Sequence, residues 1–149
     1  MTESAKTASM REKPTILIVD DESFYTEMLA GLLHDDYQVS TVGTGEEALA
    51  YVNEHPNPDL MLLDIILPGC DGYEVCRRLK ANVSSKNFPI IFLTVKRDID
   101  DELKGFNLGA VDYITKPVSP PIVLARVRTH VNLSRVRRQL EVMLKRLGD

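Results

Sequence analysis

Two short apolar runs in this chain each stop at acidic residues: Ile16-Leu17-Ile18-Val19 leads into Asp20-Asp21, and Leu60-Met61-Leu62-Leu63 leads into Asp64. Near-continuous apolar runs are what a parallel sheet covered on both faces requires, and an open α/β sheet binds its ligands beyond the carboxyl ends of its strands. Three carboxylates delivered to one such edge repel one another unless a cation lies between them. Oxygen-only ligands with room for water suit Mg²⁺, which works mostly on phosphate. The pattern points first to a divalent-metal pocket and phosphate chemistry.

Strand-like and helix-like stretches alternate five times, with apolar runs beginning near Thr15, Tyr37, Asp59, Pro89 and Val111. Met28, Leu29, Leu32 and Leu33 form a stripe at helical spacing, and Thr44 followed by Glu47 is a capping box for the next helix. Tyr73, Val75, Cys76 and Leu79 mark a third helix. Ile99, Leu103 and Phe106 mark a fourth, opened by Asp98 and closed by Gly109. The fifth starts after Ser119-Pro120-Pro121. Regular βα alternation with short loops predicts one α/β domain, a doubly wound parallel sheet with helices on both faces.

A chain of 149 residues, 44% hydrophobic and 27% charged, is long enough for one good core and too apolar for a disordered class. Residues 1–13 lack the apolar centre of a signal peptide and no run reaches the roughly 18 apolar residues of a spanning helix, so a cytoplasmic location without membrane contact is expected. Cys70 and Cys76 lack metal-type spacing and read as free thiols. From residue 126 onward seven Lys and Arg face only Glu141 and Asp149, so the tail carries +5 in a chain of net −4, leaving −9 on the first 125 residues. The tail's cations interleave with spaced Val and Leu and with no aromatics, which reads as a solvated helix face and not as a nucleic-acid surface.

The fourth run, Pro89-Ile90-Ile91-Phe92-Leu93, ends at Thr94, and the fifth leads through Asp112-Tyr113-Ile114-Thr115 into Lys116-Pro117. If strands one, three, four and five are neighbours, Asp20, Asp21, Asp64, Thr94 and Lys116 converge on one crevice. The string Ile-Leu-Ile-Val-Asp20-Asp21-Glu22, the string Leu-Leu-Asp64-Ile-Ile-Leu-Pro68-Gly69-Cys-Asp71-Gly72, Thr94, and Asp112-Tyr113-Ile-Thr-Lys116-Pro117 resemble the receiver domain of two-component response regulators. The likeness spans roughly residues 14–131. It divides the chain into a flexible segment 1–13, a receiver 14–131, and an extension of the last helix over 132–149.

The resemblance implies a (βα)5 fold of strand order 2-1-3-4-5, and a domain that is no enzyme beyond promoting its own phosphorylation and dephosphorylation. It implies that Asp64 takes a phosphoryl group from the phosphohistidine of a sensor kinase or phosphotransfer protein. Mg²⁺ would be ligated by Asp64, by Asp21, by Asp20 through water, and by the backbone carbonyl of Ile66. Lys116 and the Thr94 hydroxyl would each hold a phosphoryl oxygen, and a cis Pro117 would shape the turn after Lys116. Thr94 and Tyr113 would form the switch, Tyr113 swinging inward as Thr94 moves the loop from Val95 to Asp98. Ile66, Val95 and Lys96 depart from the commonest residues at their positions, and the two apolar ones would lengthen the life of the acyl phosphate. His34, His55 and His130 lie in no motif and take no catalytic role.

Two alternatives remain at this level. A haloacid-dehalogenase-like phosphatase also uses an Asp nucleophile with Mg²⁺, Thr and Lys, but carries that Asp at the end of its first strand. A docking-only receiver would have lost one of Asp64, Asp21, Thr94 or Lys116. A dinucleotide fold needs Gly-x-Gly-x-x-Gly after the first strand, and Gly43-Thr44-Gly45 follows the second and stops. In the tail no Pro or Gly interrupts the chain from Ile122 to Leu147. Leu124, Val127 and Val131 are expected to face the sheet, whereas Leu133, Val136, Leu140, Met143 and Leu147 follow a 3-4-3-4 spacing. That seam predicts a parallel homodimer through residues 133–147, a candidate linker to an output domain, with Arg135, Arg137, Arg138, Lys145 and Arg146 on solvated flanks.

Overall fold

The computed structural model describes residues 13–95 and 99–148, with the backbone alone at 99–102. The segment 1–12, Lys96 and the expected cap Asp98 lie outside the described residues. Ten elements alternate: β1 (Thr15–Val19), α1 (Ser23–Leu33), β2 (Gln38–Val42), α2 (Gly45–Glu54), β3 (Leu60–Asp64), α3 (Gly72–Ala81), β4 (Ile90–Thr94), α4 (Ile99–Asn107), β5 (Asp112–Thr115) and α5 (Pro120–Gly148). The five strands are parallel in the order β2-β1-β3-β4-β5. The doubly wound α/β fold expected from the alternation is therefore the fold observed.

Strand periodicity splits the core in two. Leu17, Val19, Met61, Leu63, Ile90 and Phe92 face α2 and α3, where Ala48, Val75, Cys76 and Leu79 cover them. Ile16, Ile18, Leu60, Leu62, Ile91 and Leu93 face α1 and α5, covered by Leu29, Leu33, Val123, Val127 and Val131. Successive strand side chains alternate faces, so a strand buried on both sides must be apolar at every position. Each such side chain removed from water contributes about 1.5–3 kcal/mol.

Helix starts follow cap chemistry. Thr44 Oγ1 accepts from the Glu47 N–H at 3.1 Å, and Asp71 Oδ1 accepts from the Glu74 N–H at 2.9 Å. The Thr44 hydroxyl also donates to Glu47 Oε1 at 3.2 Å, a side-chain closure in place of the box's usual return to the cap N–H. Gly109, past the end of α4, has φ +105°, a conformation that favours glycine.

Helix α5 departs from expectation in three respects. It begins at Pro120 and includes both prolines, because first-turn N–H groups have no intrahelical partner and a residue lacking one costs little there. That start sets the phase so that Val123, not Leu124, is fully buried, Leu124 being only partly covered. Arg137 and Arg138 are exposed as expected, but their guanidinium groups are engaged with the domain: Arg137 Nη2 donates to the Asn87 carbonyl, and Arg138 Nη2 pairs with Asp59.

Candidate functional site

The carboxyl ends of β1, β3, β4 and β5 form one crevice. Asp64 closes β3, while Asp20 follows β1 and its N–H donates to the Val42 carbonyl at 3.1 Å, fixing the turn to the β2 side. Lys116 follows β5, and its N–H donates to the Thr94 carbonyl at 2.9 Å. Thr94 itself ends β4 and is buried. The five side chains expected to converge thus arise from adjacent strand ends.

At the centre is a nearly enclosed cation. The Lys116 side chain is 4% exposed, with Nζ 2.7 Å from Asp20 Oδ2, 3.0 Å from Asp64 Oδ2 and 3.4 Å from Glu22 Oε1. The ammonium also lies 4.2 Å from the centre of the Tyr25 ring, within cation–π range. Burial alone would pull its pKa down; hydrogen bonding and charge from Asp20 and Asp64 more than reverse this and hold it above the ordinary lysine value. Burial pushes the Asp64 carboxyl up to about 6, against the hydrogen bond from Lys116 and with the charge of Asp20. The Ile66 N–H donates to Asp64 Oδ1 at 3.2 Å and the Glu22 N–H to Asp20 Oδ1 at 2.9 Å, which orients both carboxylates.

One ligand atom from each of Asp20, Asp21, Glu22 and Asp64 lies within 4.8 Å of the others. Four carboxylates against one ammonium leave an excess of negative charge. Asp20 Oδ2, though close to Lys116, accepts no well-directed hydrogen bond, and is the buried side-chain polar atom left without one among the described residues. Hard oxygen donors in excess of their counter-charge fit a small divalent cation open to water through the exposed Asp21 and Glu22.

Close backbone approach completes the site. A Cβ on Gly72 would lie 2.2 Å from the Asp64 carbonyl oxygen, so the start of α3 can pack under β3 only as glycine. The Lys116–Pro117 peptide is cis, as the resemblance implied. Tyr113 is already inward: its ring packs 5.7 Å from Phe92 and 5.2 Å from Phe106 between centroids, and its hydroxyl occupies the space a Cβ on Gly105 would need. Ile66 and Val95 are exposed. The sequence reading gave no site role to Glu22, Tyr25 or Gly72; the run Asp20-Asp21-Glu22 held the signal for the first, and only the fold brings in the others.

The family model described as the response regulator receiver domain matches residues 16–128. The chain belongs to that family and is the receiver module of a two-component signalling system. A Vibrio cholerae protein named a probable cyclic di-GMP phosphodiesterase is 43% identical over 121 residues, covering 81% of this chain and 27% of the relative. The DNA-binding response regulator MtrA of Mycobacterium bovis is 42% identical over 124 residues, covering 83% and 52%. Among solved structures, the receiver domain of a signal transduction histidine kinase from Syntrophus aciditrophicus is 33% identical with TM-score 0.74, covering 80% of this chain and 90% of that one. The chain spans about half or less of the length of these curated relatives. The comparisons give the phosphatase alternative no support. Among the described residues no helix is long and apolar enough to cross a membrane.

Proposed function

We propose that Asp64 is the phosphoacceptor of a Mg²⁺-dependent phosphoryl transfer, the donor being a phosphohistidine on a sensor kinase or phosphotransfer protein in the cytoplasm. A carboxylate oxygen of Asp64 attacks phosphorus, the P–N bond breaks on the far side, and the leaving imidazole takes its proton from solvent. The observation that carries this reading is the shared ammonium: Lys116 holds Asp64 and Asp20 together at 3.0 and 2.7 Å.

Lys116 keeps the acceptor carboxylate oriented before transfer and offers a charge-assisted hydrogen bond to a phosphoryl oxygen afterwards. The Thr94 hydroxyl, at the end of the neighbouring strand, takes another. When bound, Mg²⁺ supplies charge against the phosphoryl oxygens, held by Asp21 and Asp64, by Asp20 through water, and by the Ile66 carbonyl. The acyl phosphate adds about two negative charges beside Thr94. The switch is then the balance between the inward Tyr113 seen here and an outward rotamer, biased by where Thr94 is drawn. The domain acts on itself and turns over no separate substrate.

Incubation with Mg²⁺ and acetyl phosphate tests this reading. One base-labile phosphoryl group should appear by intact mass, mapped by peptide analysis to Asp64, and vanish in Asp64→Asn. Labelling that survives this substitution would remove Asp64 from the role, and steady turnover of p-nitrophenyl phosphate would favour a phosphatase.

A further inference from the structure

Five strand residues rise about 17 Å, whereas the 29 residues of α5 extend about 43 Å, so the helix overshoots the sheet it covers. Val123, Val127 and Val131 are buried against the sheet, and the next inward residue, Ser134, is buried against the base of the domain. Past it the helix is held by charge. Arg137 donates to the Asn87 carbonyl, and Arg138 pairs with Asp59. Asp59 is buried and anchored, its Oδ2 accepting from the Thr15 N–H at 2.8 Å. The two arginines thus clamp the extension to the amino ends of β1 and β3 and to the loop before β4.

The clamp fixes the direction of the opposite stripe. At 100° per residue, Ser134, Arg137, Arg138 and Glu141 centre on a face roughly 130° from that of Leu133, Val136, Leu140, Met143 and Leu147. Those five are each more than half exposed. We propose that this stripe is a pairing surface for a second copy of the chain, parallel and in register, and that the Arg137–Arg138 clamp holds it in the phase that allows pairing. The proposal stands independently of the phosphoacceptor role of Asp64.

Three features select this occupant. The 3-4-3-4 spacing is the narrow seam of a coiled coil and not the broad apolar face of a membrane-surface helix. In a parallel pair all five layers meet their own kind, while an antiparallel pair, which sets each a position against a d, leaves Leu133 or Leu147 without a layer. The flanking g-to-e′ contacts of the parallel pair, Asn132 with Arg137′ and Gln139 with Leu144′, bring no like charges together. The seam goes no further toward the amino end because Arg126 occupies its next a position and turns back to the Tyr113 carbonyl and Asp112.

The energetics call for the clamp. Covering an exposed Leu, Val or Met removes on the order of 100 Å² from water at most, and these side chains are already about half covered, so the pair gains roughly 600 Å². That is below the ~1,200 Å² of a standard specific interface. An unanchored helix of this length frays in water. Pre-ordering the extension lowers the cost of association, so Arg138, on the face opposite the seam, should govern affinity without touching the partner.

Sedimentation equilibrium of the intact chain should show a dimer in the range of about 100 µM. Leu140→Glu should be monomeric there with an unchanged melting temperature, and Arg138→Ala should weaken association about fivefold. Under mild oxidation in a Cys70→Ser background, Leu147→Cys should cross-link to itself. A monomer at ~200 µM, or vesicle binding that depends on Leu140 in place of dimerisation, would overturn the pairing surface. Cross-linking of Leu133→Cys to Met143→Cys, but not of Leu147→Cys to itself, would overturn the parallel register. Full association by Arg138→Ala would overturn the clamp.

Discussion

The two ends of the sheet handle buried charge differently. At the amino end Asp59 is met by one arginine and by backbone N–H from Thr15, so its negative charge is matched. At the carboxyl end Lys116 is shared between Asp20 and Asp64 with Glu22 close by, so carboxylates outnumber their cation. A buried carboxylate matched by a half-exposed arginine secures a junction, and its removal only loosens that junction. An unmatched cluster stores repulsion that a ligand can relieve. The first arrangement suits a structural clamp and the second a binding site.

The largest expected effect breaks the carboxyl end alone. Gly72→Ala forces a Cβ to within 2.2 Å of the Asp64 carbonyl oxygen, and backbone displacement there should cost about 3 kcal/mol in urea unfolding and abolish labelling of Asp64. Next is the metal. Asp21→Ala should reduce Mg²⁺ affinity at least tenfold by isothermal titration, about 1.4 kcal/mol, whereas Asp59→Asn should leave it unchanged. Equal losses from both would erase the distinction between the ends.

The same substitution should then change sign between them. Without metal at pH 7.5, Asp64→Asn should stabilise by about 1 kcal/mol after discounting for solvent screening, because it removes a carboxyl that burial has pushed up to about 6. A group whose pKa is raised by folding contributes stability at low pH and loses it as pH rises through the folded value. The gain from Asp64→Asn should therefore fade on acidification to around pH 4. Asp59→Asn should destabilise by about 1 kcal/mol through loss of a charged hydrogen bond. The smallest effect is on pH dependence: with Asp64 titrating at about 6, Mg²⁺ affinity should fall about fourfold from pH 7.5 to 5.5 as protons compete.

The carboxyl end was largely legible in the sequence, the amino end hardly at all. Apolar runs that stop at Asp20, Asp64, Thr94 and Lys116 mark strand ends directly, and parallel strands bring such ends to one edge. Their order across the sheet came from the family likeness, since alternation alone does not order five strands. Asp59 and Arg138 are 79 residues apart, and nothing local to either announces the other. Arg137 and Arg138 fall among regularly spaced cations that resemble a solvated face, and only the fold brings the Asn87 carbonyl and Asp59 within their reach. Gly72 stood in the sequence only as part of the string that resembles a receiver, and its closeness to the Asp64 carbonyl needs the crossing of α3 beneath β3. Tyr113 was expected to move inward on activation, and the space left by Gly105 shows why it already fits there.

The unbroken course of α5 carries a consequence for protein engineering. With no proline or glycine between Ile122 and Leu147, the helix behaves as a splined shaft, its near end keyed to the sheet by three valines and two arginines. Each residue inserted beyond Arg138 would turn anything fused downstream by about 100° and advance it about 1.5 Å. Chimaeric sensors built on this chain should recover their output at linker lengths that differ by seven residues and lose it between them.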